Sequence, residues 1–360
     1  MNLKSKFDLY CWACDFSPNR GEGILARHYI QKLSKIKKKK IYIKSPDGIY
    51  TVDNGIIKKK KVNNKNLSRL NLSFNENYLN PLIGIIYLWI NYFKFRGVCY
   101  LNFLPLWNTI LFIFLPPKTH LGPITGFIFK KKIKGFNSFL RKYLNNFLFK
   151  ISAKFLFLRQ NKIYFSTDLL KALINKNNKK KTFFNYLINL VEINKYIKEK
   201  KYNFLIYNRN YSVKNNIRRN ELLKIILSMG LKIIVVGDQL TLKGVKNLGY
   251  LSREKISFLL KKTKFVINSG ENPYNIFTID AFNNHSNIIY EDFFLNKINY
   301  FNKEKLFYLN FKNHNSILKF LNKRNFTKMS KSKLTKGYRV IQGADATYFK
   351  GIKITYTHTK

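Results

Sequence analysis

Arg209 and Lys214 stand five positions apart in YNRNYSVKN, directly after the apolar run YNFLIY. A guanidinium presents a planar fork of N–H donors and an ammonium a mobile point charge, and the two together suit a diphosphate. In a chain with 67 Lys and Arg against 18 Asp and Glu, such a pair gains meaning from its place after a strand rather than from its residue types. Acidic residues are scarce, so Glu271 in NSGENPYN and Asp280 in PYNIFTIDAFNN stand out. A carboxylate there can accept both hydroxyls of a ribose. The helix start at 273–276 offers free N–H groups to a phosphate or a sugar hydroxyl. The plain alternative is a surface Glu and an Asp paired with a local Lys.

Other residues invite chemistry and hold less of it. Gly21 and Gly23, in SPNRGEG after the first strand, would let a ligand approach the backbone, or would simply make a tight turn. His120 in HLGPITG is a lone histidine, read as structural. Cys11 and Cys14 form a C-x-x-C with no second pair and no nearby His, so zinc would lack ligands. They read as core thiols, and three cysteines in a chain of this size point to a reducing compartment.

These residues need elements to position them, and the chain supplies two runs of alternating strand and helix. At 360 residues it suits two domains rather than one core. The first run opens on FDLYCWACDF as a strand and a helix over 23–36, with a strand at 39–45. A polar, Lys-Asn-rich connection leads to a helix near 79–94, the strand GVCYLNF, an apolar helix after Pro105, a short strand at HLGPITG and a long basic helix over 136–155. NKIYFST closes it as a buried strand, with Asp168 capping a helix behind. INKNNKKKTFF at 174–184 suits an inter-domain linker or a surface loop. The second run is cleaner, with strands at YNFLIYN, LKIIVVG, VKNLGYL, KFVINSG and SNIIYED. Its helices are RRNELLKIILSMG, SREKISFLLKKT capped by Ser252, and PYNIFTIDAFNN with Pro273 near its first turn.

The expected fold class is α/β, with two Rossmann-like domains facing a cleft. The domains are placed at 1–175 and 176–328, leaving 329–360 as a tail of unassigned role. In open parallel sheets ligands bind beyond the carboxyl ends of the strands. Four loops of the second run meet that rule: 207–215, 236–239, 247–252 and 268–275. They bring Gly237, Leu248 and Tyr250 to that edge as candidate ligand contacts.

The stretch VVGDQ…VKNLGYLSREKISFLLKKTKFVINSGENPYNIFTIDAF resembles the C-terminal half of retaining glycosyltransferases of the GT-B fold, in particular glycosyltransferase family four. That family shows G-R-L-x-x-x-K-G after the first strand of its C-terminal domain. Here N-R-N-Y-S-V-K-N keeps Arg209 and Lys214 at the same spacing without the glycines. The resemblance implies that this pair binds the donor diphosphate and assists departure of the nucleoside diphosphate. Against the family's E-x7-E motif, Asp280 takes the place of the last Glu, near the ribose. The first falls at Asn272 with Glu271 one position early, near the sugar. PNRGEG resembles the family's glycine-containing loop near the donor phosphates. The likeness covers roughly 200–320 and reaches the first half only by architecture. No D-x-D occurs, so a metal-free site with a nucleotide-sugar donor as substrate, and no cofactor, is expected; fixed cations and helix dipoles would then stabilise the leaving group.

The net charge of +49 is spread along the whole chain and reads first as a solvated surface. A basic face also attracts polyanions. No helix-turn-helix, zinc-finger or RNP signature makes nucleic acid specific, so an anionic membrane surface is the favoured partner beside the donor and a saccharide or lipid-linked acceptor. The apolar stretch 83–117 is interrupted by KFRG and by Asn102, Pro105 and Asn108. It is read as buried helix–strand–helix, with insertion of an exposed apolar face as the alternative. The N-terminus shows no apolar signal region, and a cytoplasmic location, peripheral on the inner membrane face, is expected. Two readings compete with a transferase: a nucleic-acid-binding protein and a membrane-embedded non-enzyme.

Overall fold

The computed structural model describes residues 7–60, 76–101, 109–124, 136–160 and 163–323, less 167, 169–170, 172–173, 180, 185, 198–199, 210–216, 269–272, 296–297, 299–300 and 302. Two compact units emerge, the first ending at Tyr186 and the second beginning at Leu187. The tail at 329–360 lies outside the described residues.

The first unit is built on β1 (Leu9–Trp12), whose four residues are all buried. Helix α1 (Gly21–Lys37) returns the chain to β2 (Ile41–Ser45), parallel to β1. Two antiparallel strands follow, β3 (Gly48–Asp53) and β4 (Ile56–Lys59), where a plain polar connection was expected. The lysines of β4 hid the strand, and the Asn54–Gly55 turn went unread with it. Asn54 and Gly55 take φ of 46° and 80°, as a two-residue hairpin turn between right-twisted strands requires.

Helix α2 (Glu76–Phe93) then leads to β5 (Gly97–Tyr100), and α3 (Thr109–Phe114) to β6 (His120–Leu121). The sheet order is β4-β3-β2-β1-β5-β6, a Rossmann-like parallel core with an antiparallel extension. Trp12, Val98 and Tyr100 on one face meet Leu88 of α2, Phe112 of α3 and Leu156 of α4 (Phe136–Arg159) in one apolar cluster.

Cys11 lies opposite Cys99 on the neighbouring strand, and Cys14 bonds the Tyr100 hydroxyl at 3.0 Å. All three thiols are free, and burial pushes Cys14 up to about 11. The C-x-x-C is therefore two separate thiols in different surroundings.

The segment expected to close this half does not join the main sheet. Strand β7 (Ile163–Tyr164) pairs with β8 (Thr182–Phe183), and Phe165 bridges to Ile124. Asp168 and Lys171 lie in 3₁₀ turns rather than at the head of an α-helix. The Lys-Asn-rich stretch between these strands carries the single turn α5 (Lys176–Lys179).

The second unit is an all-parallel sheet. Its elements run β9 (Tyr202–Asn208), α6 (Ile217–Ser228), β10 (Ile233–Gly237), β11 (Val245–Asn247), α7 (Arg253–Lys261), β12 (Thr263–Ile267), α8 (Ile276–Asn283), β13 (Asn287–Glu291), β14 (Leu306–Leu309) and α9 (His314–Lys323). The strand order is β11-β10-β9-β12-β13-β14, and every pairing is parallel. Strands covered on both faces read as continuous apolar runs, and β10 is buried at all five positions. Phe204, Ile206, Val235 and Phe265 meet Leu222 and Ile226 of α6 and Ile317 of α9 on one face. Ser252 caps α7 as expected, its hydroxyl accepting from the Lys255 N–H. Helix α8 starts three residues beyond Pro273, with Asn275 as its cap.

At the amino edge of this sheet Lys200 closes two helix ends. Its ammonium donates to the carbonyls of Lys261 at 2.8 Å and Asn284 at 3.1 Å, at the C-termini of α7 and α8. His285 lies beside it, with Nε2 2.6 Å from the Asn194 carbonyl and Nδ1 3.1 Å from Lys305 Nζ. Burial, and then the neighbouring charge of Lys305, push Lys200 down to about 8. A base depressed in the folded state contributes stability that is present above its unfolded value, ~10.4, and lost as pH falls through about 8. Wild-type stability should therefore rise by about 1–3 kcal/mol over that window, allowing for the part of the side chain that stays wet. Urea unfolding of Lys200→Met across the same pH range should lack that rise; an identical pH profile would exclude Lys200 as its source.

Candidate functional site

In the second unit the strand order reverses between β9 and β12, where open α/β sheets leave a crevice at their carboxyl edge. Arg209 is the residue directly after β9. Its guanidinium lies over the Tyr207 ring at 5.2 Å, with Nε 3.3 Å from the Tyr207 hydroxyl. Tyr207 in turn packs on Phe277, in the first turn of α8, with ring centroids 5.6 Å apart. The two aromatic rings thus link the cation to the start of α8. A fixed positive charge and a helix N-terminus both favour an anion at that spot.

Beneath Arg209 the chain is clamped by buried amides. Asn208 Oδ1 accepts from Arg219 of α6 at 2.6 Å, while Nδ2 donates to the carbonyls of Asp238 (3.1 Å) and Gln239 (3.3 Å). The Asp238 N–H returns a bond to the Asn208 carbonyl at 3.0 Å. The loops after β9 and β10 are thereby locked together. Across the crevice, Asn268 at the end of β12 donates to the Thr278 hydroxyl at 2.8 Å, and Asn275 accepts from that hydroxyl (3.0 Å) and from the Thr278 N–H (2.9 Å). Both ends of the loop after β12 are fixed to α8.

Gly237 ends β10 with φ +93°, and a Cβ there would collide with the Asn208 carbonyl oxygen. Gly237→Ala should cost about 1–3 kcal/mol, as overpacking does, and should displace the loop that carries Asp238. Chemical denaturation reads the first effect, and ligand titration of the folded fraction the second; unchanged stability would show that the collision is relieved elsewhere.

Tyr250 is largely exposed, and its hydroxyl donates to the Asp238 carboxylate. That bond pushes Tyr250 up to about 12, with Arg209 acting in the opposite direction. Tyr250 and Asp238 thus share the neighbourhood of Arg209. Leu248 follows β11, its N–H donating to the Val235 carbonyl at 2.9 Å. It lines an open apolar groove of about 400 Å³ with Leu251, Phe258 and Leu259.

Asp280, expected near a ribose, is held by an arginine of its own unit. It is buried in α8, and both carboxylate oxygens accept from Arg253, Oδ1 from Nη2 at 2.6 Å and Oδ2 from Nε at 3.0 Å. Burial pushes its carboxyl up, and the guanidinium pulls it back. Lys214, Glu271 and Asn272 lie outside the described residues.

In the first unit, Gly21 and Gly23 form the first turn of α1. The space left by the missing Cβ of Gly23 is filled by the main chain of Ser17 and the carboxylate of Asp15. Asp15 Oδ1 accepts from the Ser17 N–H at 2.9 Å; burial raises its carboxyl, while the N–H groups of Ser17 and Gly23 oppose that. The head of α1 therefore meets a carboxylate of its own chain, whereas the switch point of the second unit presents a cation. His120 is half-buried, and desolvation pushes it down to about 4. Among the described residues no group of three or more His, Cys, Asp or Glu is arranged to hold a metal ion.

Sequence reasoning missed Tyr207, Asn208, Asp238 and Arg253. Each depends on a partner on another element, and only Asp238 carried a signal, as a scarce carboxylate directly after a buried strand.

No family model matches the chain, and no curated protein matches it. Among solved structures, the UDP-GlcNAc 2-epimerase of Methanocaldococcus jannaschii, in complex with UDP-GlcNAc and UDP, aligns over 95% of this chain and 98% of its own, with 11% identity and a TM-score of 0.48. The E. coli heptosyltransferase WaaC with ADP-2-deoxy-2-fluoro heptose aligns over 88% and 99%, with 10% identity and a TM-score of 0.35. The iron-containing dodecameric glycosyltransferase TibC of enterotoxigenic E. coli aligns over 74% and 72%, with 11% identity and a TM-score of 0.23. The assignment of two Rossmann-like α/β units rests on the strand orders themselves.

Proposed function

We propose that this chain is a glycosyltransferase of the GT-B arrangement, moving a sugar from a nucleotide-diphosphate donor to a saccharide or lipid-linked acceptor. The observation that carries the reading is the placement of Arg209 at the switch point of an all-parallel sheet, linked through Tyr207 and Phe277 to the start of α8. A diphosphate is the ligand whose charge and size suit a guanidinium beside a helix N-terminus.

In the proposed transfer the bond between the anomeric carbon and the diphosphate oxygen breaks, and the electron pair leaves with the diphosphate. The acceptor hydroxyl oxygen bonds to the anomeric carbon, and its proton passes to the departing phosphate, with retention at that carbon. Arg209, joined by Lys214, neutralises the charge that grows on the leaving group. No metal is required of such a site. Glu271 or Asn272 is assigned to the sugar. Gly237 lets the backbone of its loop come close, and Leu248 and Tyr250 flank the nucleoside. Since Arg253 holds Asp280, the carboxylate best exposed to a ribose is Asp238, which would exchange the Tyr250 hydroxyl for those of the ligand.

Thermal unfolding of the whole chain with a panel of UDP-, GDP- and ADP-sugars tests the proposal. Stabilisation by one nucleotide class that grows with its concentration supports it. A chain indifferent to the panel, but bound by DNA or RNA with steep salt dependence, would overturn it in favour of nucleic-acid binding.

A further inference from the structure

Helix α2 is apolar on two sides: Ile85 and Leu88 pack into the core, and a second apolar stripe faces outward. From Leu79 to Phe93 the exposed positions are Leu79, Leu82, Ile83, Ile86, Ile90 and Phe93, each a large hydrocarbon side chain. At 3.6 residues per turn these six form one stripe. Asn91 of the same helix is buried instead, its amide donating to the Tyr87 carbonyl at 2.9 Å and its Oδ1 accepting from Arg96 at 3.1 Å.

Helix α3 does the same: Leu111 and Phe112 are buried, while its exposed positions are Ile110, Ile113 and Phe114. Trp89 Nε1 donates to the Phe114 carbonyl at 2.7 Å, which makes the two stripes neighbours. Together the nine large apolar side chains are all exposed, and a contiguous exposed apolar face of this kind marks an interaction surface.

The charge of the sequence that carries this face bears on what covers it. Between Glu76 and Asp168 the chain carries thirteen Lys and Arg and not one Asp or Glu. Lys94 and Arg96 follow α2 directly, and Lys118 follows α3. Arg159 of α4 donates to the carbonyls of Ile113 and Pro116 at the end of α3. At the same end Trp89 stacks on Phe93 at 5.2 Å and meets Tyr92 edge-on at 5.4 Å, an aromatic group beside cations.

A second copy of this chain would bring the same uncompensated positive charge to the seam. A nucleic acid would meet the charge and leave the hydrocarbon in water. An anionic lipid surface satisfies both, with acyl chains for the stripe and headgroups for the cations. Among the described residues no helix is long and apolar enough to cross a membrane. We propose that the α2–α3 face lies in the headgroup–acyl boundary of an anionic bilayer. This surface is separate from the nucleotide reading, and its test uses no nucleotide.

The test is co-sedimentation of the whole chain with vesicles of phosphatidylcholine alone and of phosphatidylcholine mixed with phosphatidylglycerol, at low and high salt. High salt screens the general attraction of a +49 chain and leaves the apolar contribution. The wild type should pellet with the anionic vesicles and remain largely bound at high salt. The triple variant Ile86→Ser, Ile90→Ser, Phe93→Ser should lose at least tenfold of that salt-resistant binding, while Phe258→Ser on the second unit should keep it. Wild type left in the supernatant, or a folded triple variant that binds as well as wild type at high salt, would overturn the proposal. So would a wild-type dimer by light scattering that the triple variant converts to monomer. If the triple variant does not fold, bromine-labelled acyl chains read the same contact. They should quench wild-type tryptophan emission, and most of that quenching should vanish in Trp89→Phe; no quenching overturns the proposal.

Discussion

Arg209→Ala should weaken binding of the stabilising nucleotide sugar by about 10- to 150-fold, the equivalent of ~1.5–3 kcal/mol for a charge-assisted hydrogen bond. The fold should survive, because Arg209 is half-exposed and its contact with Tyr207 is made on the surface of the crevice rather than in the core. Arg209→Lys should fall between wild type and Ala, since it keeps the charge and loses the planar fork. The comparison also separates steps. If Arg209 acts on the departing diphosphate as well as on the bound donor, turnover in Arg209→Lys should fall by more than affinity does. Isothermal titration reads the first quantity and sugar release from a labelled donor the second. Nucleotide affinity equal to wild type in the Ala variant would sink the assignment of the diphosphate to this residue.

Arg209 could be picked from the sequence because a parallel sheet puts ligands after its strands, and YNFLIYN reads as a strand without help from elsewhere. What aims the guanidinium could not be read. Tyr207 and Phe277 are 70 positions apart in the chain and meet only once β9 lies beside the start of α8. The same limit explains Asp280. Its place in the helix was legible, but Arg253, 27 positions earlier, takes both its oxygens.

Local signals fared best where local energetics decide the outcome. A continuous apolar run marked β10, because helices cover both faces of the sheet. The Ser252 cap belongs to its own turn. Strands β3 and β4 were missed because β4 is an edge strand, largely exposed, whose lysines obscure the alternation. Helix α2 shows the opposite failure. Its hydrophobicity promised a buried helix, and periodicity alone cannot tell which apolar residues face the sheet and which face out.

Arg253→Met should destabilise the second unit by about 3–5 kcal/mol near neutral pH, more than Asp280→Asn does. The asymmetry follows from burial. Asp280 is 6% exposed, so removing Arg253 strands a carboxylate in the interior, whereas the Arg253 side chain keeps 34% of its surface in water and can turn outward when Asp280 is neutralised. The stranded carboxyl has its pKa raised further by the same burial. A group raised in the folded state contributes stability below its unfolded value and loses it as pH climbs through the folded one. The deficit of Arg253→Met should therefore shrink as pH falls toward the ordinary carboxylate range and grow toward neutrality. Urea unfolding of both variants and wild type across that range measures the difference directly. Equal losses in the two variants, independent of pH, would mean that lost packing rather than an unpaired charge sets the cost. Because Asp280 lies in α8, the helix whose start faces Arg209, loosening the pair should also lower nucleotide affinity while leaving Arg209 itself intact. A donor affinity unchanged in a folded Arg253→Met chain would show that the crevice does not depend on how α8 is anchored.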